Sequence, residues 1–199
     1  RITFFANSLQ ALELKGSFYQ GDLILGKTKA GSKVYIDKKE VMVTDQGFFV
    51  FGLSKDRKKN VKIKISYNKK ESKEITRKIL KKKYQVQKID GLPKKQVTPP
   101  KEVYQRIKND NKLISEARSI KSDLVFFKNK FDLPLSNSII TGVYGSQRIL
   151  NGIPKSPHYG LDFAAKEGTK IKAMLDGVVT LSEKDLYYTG GTLIFDHGH

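Results

Sequence analysis

Val61-Lys62-Ile63-Lys64-Ile65-Ser66-Tyr67 alternates apolar and polar residues with a period of two. Successive side chains of a strand point to opposite faces, so this run has one face for a core and one for water. A helix would scatter the same residues around its circumference. The run therefore needs partner strands, and the residues before it supply them. Leu23-Ile24-Leu25-Gly26 is a short apolar run. Val34-Tyr35-Ile36-Asp37-Lys38-Lys39-Glu40-Val41-Met42-Val43 reads as two strands joined by a charged turn, and Gly47-Phe48-Phe49-Val50-Phe51-Gly52 is a β-rich run bounded by glycines. Several short strands separated by turn signals predict a small antiparallel β-sandwich over residues 12–68. No residue in it carries obvious chemistry, so its expected role is that of a spacer or docking module.

Residues 69–131 read as a basic linker followed by a helix. Pro93 and Thr98-Pro99-Pro100 disfavour continuous regular structure, although Tyr84-Gln85-Val86-Gln87-Lys88-Ile89 has the composition of a strand. Over 101–121, Val103, Ile107, Ile114 and Ala117 recur at helical spacing, Leu113 and Ile120 extend the stripe, and Glu102 suits the first turn. Such a helix is expected to pack on the β-module or on a partner. From residue 132 the pattern returns to strands and loops, with Ile139-Ile140 opening a second β-rich domain. A hairpin is expected there from Ile171-Lys172-Ala173-Met174 and Gly177-Val178-Val179-Thr180-Leu181, turning at Asp176-Gly177. The fold class is mainly β.

Charge is distributed unevenly. Lys and Arg number 38 against 20 Asp and Glu, a net charge of +18. Residues 55–95 hold 17 basic and four acidic residues, whereas Gly142 to His199 holds six of each. A basic stretch can attract nucleic acid, an anionic envelope polymer or a membrane surface, or simply be a solvated face. Lysines without interleaved Arg, Gly and stacking aromatics make a weak nucleic-acid signature, and no specific nucleic acid is expected. No stretch approaches the roughly 20 apolar residues of a membrane-spanning helix. Ile2-Thr3-Phe4-Phe5-Ala6-Asn7-Ser8 reads either as the remnant of a secretory signal, within residues 1–11 and cleaved around Ala6-Asn7-Ser8, or as a strand.

The chain has three histidines and no cysteine. Any metal must therefore be held by His, Asp or Glu. His158-Tyr159-Gly160-Leu161-Asp162 places an imidazole four residues before a carboxylate, both good Zn²⁺ ligands at about 2.0–2.2 Å. Two donors on one tetrahedral ion lie only about 3–3.5 Å apart. A flat strand separates them by about 13 Å. The chain must bend between the two residues, and Gly160 is expected to permit the bend. Pro157 limits the approach to His158.

The runs Gly142-Val143-Tyr144-Gly145 through Arg148, His158 through Ala165, Gly168-Thr169, Ala173, Asp176-Gly177-Val178-Val179 and Gly190 through Gly198 resemble, in that order, the lysostaphin-type (LytM-like) zinc metallopeptidases. The resemblance covers roughly residues 138–199. It implies that residues 132–199 are the first part of a LytM-like peptidase domain of the duplicated hybrid motif type, with Zn²⁺ as cofactor and peptidoglycan as substrate. It also implies a periplasmic or other secreted, cell-envelope location. His158 and Asp162 match two of the family's three zinc ligands. Arg148, in Gly145-Ser146-Gln147-Arg148, matches a position expected to contact substrate or shape the groove, and is otherwise a surface arginine. Tyr159 and Phe163 are expected to pack.

The family's third ligand and catalytic histidines come from a downstream His-x-His and an intervening histidine. His197-Gly198-His199 has that form. However, Gly190-Gly191-Thr192-Leu193-Ile194-Phe195-Asp196 resembles an earlier strand of the family, which ends in Asp-His-Gly. The expectation is that the chain is truncated, with the third ligand and catalytic groups beyond His199. His197 then supports the ligands or the fold. Two rival functions follow. A degenerate LytM-like scaffold would activate cell-wall amidases, which retention of His158 and Asp162 disfavours. A basic module would bind anionic polymer or nucleic acid, which the neutral C-terminal segment disfavours as the main role. Gly168-Thr169, Ala173 and Asp176-Gly177-Val178 also suit a biotinyl-lipoyl-like fold, but the Met-Lys-Met carrier motif is absent.

Overall fold

The computed structural model describes residues 12–92, 98–136 and 138–199. The possible signal remnant, with Ala6-Asn7-Ser8, lies outside the described residues, as does Pro93. The protein is mainly β and divides into two compact units after Lys82. Among the described residues, no helix is long and apolar enough to cross a membrane.

The first unit holds β1 (Glu13–Lys15), β2 (Leu23–Lys27), β3 (Lys33–Ile36), β4 (Lys39–Val41), β5 (Phe48–Gly52), β6 (Val61–Ser66) and β7 (Ser72–Arg77). They form two antiparallel sheets, β1-β2-β5 and β4-β3-β6-β7. Both sheets feed one core. Ile24, Phe49 and Phe51 come from the first, and Val34, Val61, Ile63 and Ile65 from the second. The alternation in β6 is realised in full, with Val61, Ile63 and Ile65 completely buried while Lys62 and Lys64 face water. Each buried aliphatic side chain stabilises the unit by about 1.5–3 kcal/mol relative to exposure. Residues 72–77, placed by the sequence in the linker, instead form β7 along the whole of β6. Only Ile75 of β7 is even partly withdrawn from solvent, so the strand has almost no apolar alternation to betray it.

Asp37 and Lys38, both at positive φ (49° and 76°), make the tight turn between β3 and β4. Two left-handed residues suit the right-handed twist of a hairpin. The turn is anchored by Asp37, whose carboxylate accepts a hydrogen bond from the Lys62 amide at 3.0 Å and pairs with Arg57 at 2.7 Å. The hydrogen bond from Arg57 holds the Asp37 carboxyl below its ordinary value of 3.8, against a smaller opposing effect of burial. A lowered folded-state value stabilises the fold above pH 3.8, and this contribution is lost as pH falls through the folded value. Asp37→Asn should therefore lower stability near neutral pH and bring the two proteins closer as pH falls through the lowered folded value, as read from urea midpoints across the acid range.

The second unit begins with β8 (Val86–Ile89) and, after a 3₁₀ turn at Lys101–Val103, α1 (Tyr104–Ser119). It continues with β9 (Ile139–Gly142), β10 (Gln147–Leu150), β11 (Ile153–Pro154), β12 (Asp162–Ala164), β13 (Val178–Leu186) and β14 (Gly190–Asp196). β8 realises the strand composition of residues 84–89 and lies parallel to β10 from Val86↔Gln147 to Ile89↔Leu150. β9 pairs with β12, and β13 with β14, both antiparallel. The expected hairpin at Asp176-Gly177 is replaced by β13–β14, which turns at residues 187–189, while residues 171–174 form no strand.

The helix docks on that hairpin. Arg106 donates to the Asp185 carboxylate and carbonyl, both at 2.8 Å, and the Tyr187 amide donates to Asp110 at 2.8 Å. Ala117 is the buried residue of the helix, whereas Leu113 and Ile120, expected to extend its apolar stripe, are exposed. The expected stripe of Val103, Ile107, Ile114 and Ala117 is the withdrawn face of the helix, and the polar contacts at Arg106 and Asp110 flank it.

Candidate metal centre

His158 is positioned by its backbone before its side chain. Its amide donates to the Ser146 carbonyl at 2.9 Å, and its carbonyl accepts from the Gly145 amide at 2.6 Å. The loop between β9 and β10 thus grips the histidine from both sides. That loop is itself rigidly closed. Ser146, almost wholly buried, donates its hydroxyl to the Val143 carbonyl at 2.9 Å, and Gln147 binds the Gln85 carbonyl just before β8. Gly145 has φ +85°, and a Cβ there would lie 2.1 Å from the Tyr84 ring. The tight turn and the close ring both exclude a larger residue.

Asp162 enters from β12, opposite Gly142 of β9, at a register shift between Asp162 and Phe163. Its Oδ1 lies 3.2 Å from His158 Nε2. The pair lacks the alignment of a hydrogen bond, and Nε2 is a buried atom without a hydrogen-bond partner. A buried ring nitrogen left unpaired is costly, and here it faces a carboxylate oxygen at the spacing of two ligands on one tetrahedral ion. In spacing and in chemistry, imidazole nitrogen plus carboxylate oxygen, the pair suits Zn²⁺. Arg148 completes the cluster. Its Nη2 lies 3.4 Å from Asp162 Oδ2, the oxygen not facing His158.

Gly160 does not act as expected. Its φ is not left-handed, and a Cβ there would touch His158 only at an ordinary 3.7 Å. The glycine that matters is Gly142, where a Cβ would fall 2.3 Å from Asp162 Oδ2. That Cβ would also lie 2.9 Å from Asp162 Cγ and 3.1 Å from its Cβ, so Gly142→Ala should displace Asp162 from His158 at a modest cost in stability. Zinc affinity should drop about tenfold or more, as when a ligand loses its support. Zinc titration and thermal unfolding of the same variant check both halves.

His197 and His199 lie in a different setting. His197 Nδ1 is 2.8 Å from the Asp176 carbonyl, and its ring stacks on Phe195. The His199 ring packs on Phe127 at 4.8 Å, its amide donates to the Ser122 carbonyl at 3.2 Å, and burial pushes its pKa down. Among the described residues, no group of three or more His, Cys, Asp or Glu side chains converges as a metal site.

Residues 156–199 match the model of peptidase family M23. The matched segment contains His158 and Asp162, while Arg148, Gly142 and the gripping loop precede it. No curated protein matches the chain. Sequence reasoning did not find Gly142 as the residue making room for Asp162, because the pairing of β9 with β12 joins positions twenty residues apart. It also passed over Asn151-Gly152, both at positive φ, which turn β10 into β11. The Asn-Gly dipeptide, a strong short hairpin signal, could have found that turn.

Proposed function

We propose that the M23 segment carries part of the active site of a zinc-dependent endopeptidase that hydrolyses peptide cross-links of peptidoglycan in the periplasm or cell envelope. The observation that supports this most is the approach of His158 Nε2 to Asp162 Oδ1 at 3.2 Å without a hydrogen bond, inside the family match. His158 and Asp162 would hold the ion, which when bound supplies the Lewis acidity that acidifies water and polarises a peptide carbonyl. His158 is supported through its backbone by Ser146 and Gly145, so its ring is placed without being consumed by a hydrogen bond. Arg148 engages the outer oxygen of Asp162 and leaves the inner one toward His158. Its guanidinium, partly exposed, is also the group suited to a substrate carbonyl or carboxylate.

The test is turbidity loss of purified cell walls by the gene product that contains these residues, with a chelator and with zinc returned. Lysis that the chelator stops and zinc restores supports the reading. No lysis, together with tight binding to a cell-wall amidase, would replace it with the scaffold function.

A further inference from the structure

A second site lies on the first unit and is independent of the zinc reading. Lys38, Arg57, Lys58, Lys59 and Lys62 line an open groove of about 740 Å³ around one carboxylate, Asp37. Arg57 is the frame of this groove. Besides its pairing with Asp37, it donates from Nη2 to the Asn60 carbonyl at 2.7 Å and from Nε to the Lys59 carbonyl at 2.8 Å. This ties the loop at 57–60 to the turn between β3 and β4. The same contacts use up Asp37, and the adjacent Asp56 is taken by Lys55 at 2.6 Å. Lys38, Lys58 and Lys59 are therefore left without an ion pair among the described residues.

Ammonium groups gathered in this way repel one another, and a multivalent anion relieves that repulsion. Lys38 strengthens the case. It occupies, at φ 76°, the turn position where glycine is preferred, and the fold bears that backbone cost with a cation on the rim of the groove. Among the described residues, no aromatic ring lines the groove, so these offer nothing for bases to stack on. Lysine is a point-charge partner for phosphate and asks for no planar ligand.

We propose that this groove binds a linear phosphate-bearing polyanion, a polyphosphate or base-free phosphodiester chain, through Lys38, Lys58, Lys59 and Lys62. The experiment titrates the 199-residue chain with inorganic tripolyphosphate at low salt and follows backbone amide shifts by NMR. Shifts should concentrate at 37–39, 57–62 and 76. Lys38→Gln/Lys59→Gln should weaken binding about tenfold or more, and Lys101→Gln/Lys108→Gln, which removes the same charge from and beside α1, less than about twofold. Equal weakening by the two double variants would overturn the site in favour of diffuse net charge, as would the absence of binding. Tighter binding of a single-stranded oligonucleotide than of a base-free polyphosphate of equal charge would overturn the choice of ligand. So would a clear preference for phosphatidylglycerol vesicles over tripolyphosphate, lost in the groove variant. Zinc plays no part in the readout, so failure here leaves the peptidase reading untouched, and the reverse holds as well.

Discussion

His158→Ala is expected to abolish lysis of purified cell walls by the gene product containing this sequence, with a loss well beyond about a hundredfold. Removing a partner that merely supports a ligand already costs about 10–100-fold, and His158 would be a ligand itself. The fold should survive. The hydrogen bonds that hold residue 158 run through its own amide and carbonyl, to Ser146 and Gly145, and alanine keeps both. In the 199-residue chain, weak zinc binding measured against a chromophoric chelator should vanish in the same variant. Equal lysis by wild type and variant would refute the assignment of His158. Lysis lost together with the thermal transition would show a structural role instead.

Phe49→Ala should be the most destabilising single change in the first unit, at about 3–5 kcal/mol. Phe49 is completely buried. It sits directly opposite Gly26 in the β2–β5 pairing, and its ring covers that glycine so closely that a Cβ there would lie 2.1 Å away. The ring thus fills the space that a side chain on β2 would otherwise occupy. Gly26→Ala alone should cost about 1–3 kcal/mol through overpacking. The double variant should be less destabilised than the sum, because the new methyl enters the space the ring vacates. Hydrogen exchange of the β6 amides, Val61 to Ser66, reads all three proteins. Strict additivity would mean that the ring and the glycine do not share that space.

Legibility followed the range of the interaction. β6 was plain because its alternation is local and its buried face complete, and the turn at Asp37-Lys38 was plain because charge interrupts two apolar runs. β7 was hidden because its register on β6 is set by backbone hydrogen bonds, with Lys73, Glu74 and Arg77 all exposed. The hairpin at Asp176-Gly177 was misread for a related reason. A good turn dipeptide stands before β13, but Ile171 is left in solvent and β13 finds its partner downstream. At His158 and Asp162, the sequence spacing asked for a bend, and the structure brings the two side chains to 3.2 Å. The cause of that bend was misassigned to Gly160, since the bend is imposed by Gly145, Ser146 and the strand carrying Gly142, none of them between His158 and Asp162.

The parallel pairing of β8 with β10 sets where a stable fragment can begin. A second unit trimmed to start at Ile139 would discard Val86–Ile89, the Gln85 carbonyl that receives Gln147, and the Tyr84 ring over Gly145. The strand next to the loop gripping His158 would then present a bare edge, with unpaired amides and carbonyls open to any passing strand. Such a fragment would contain the whole family match and still invite aggregation beside the loop that holds His158. Shortening should stop at Lys83.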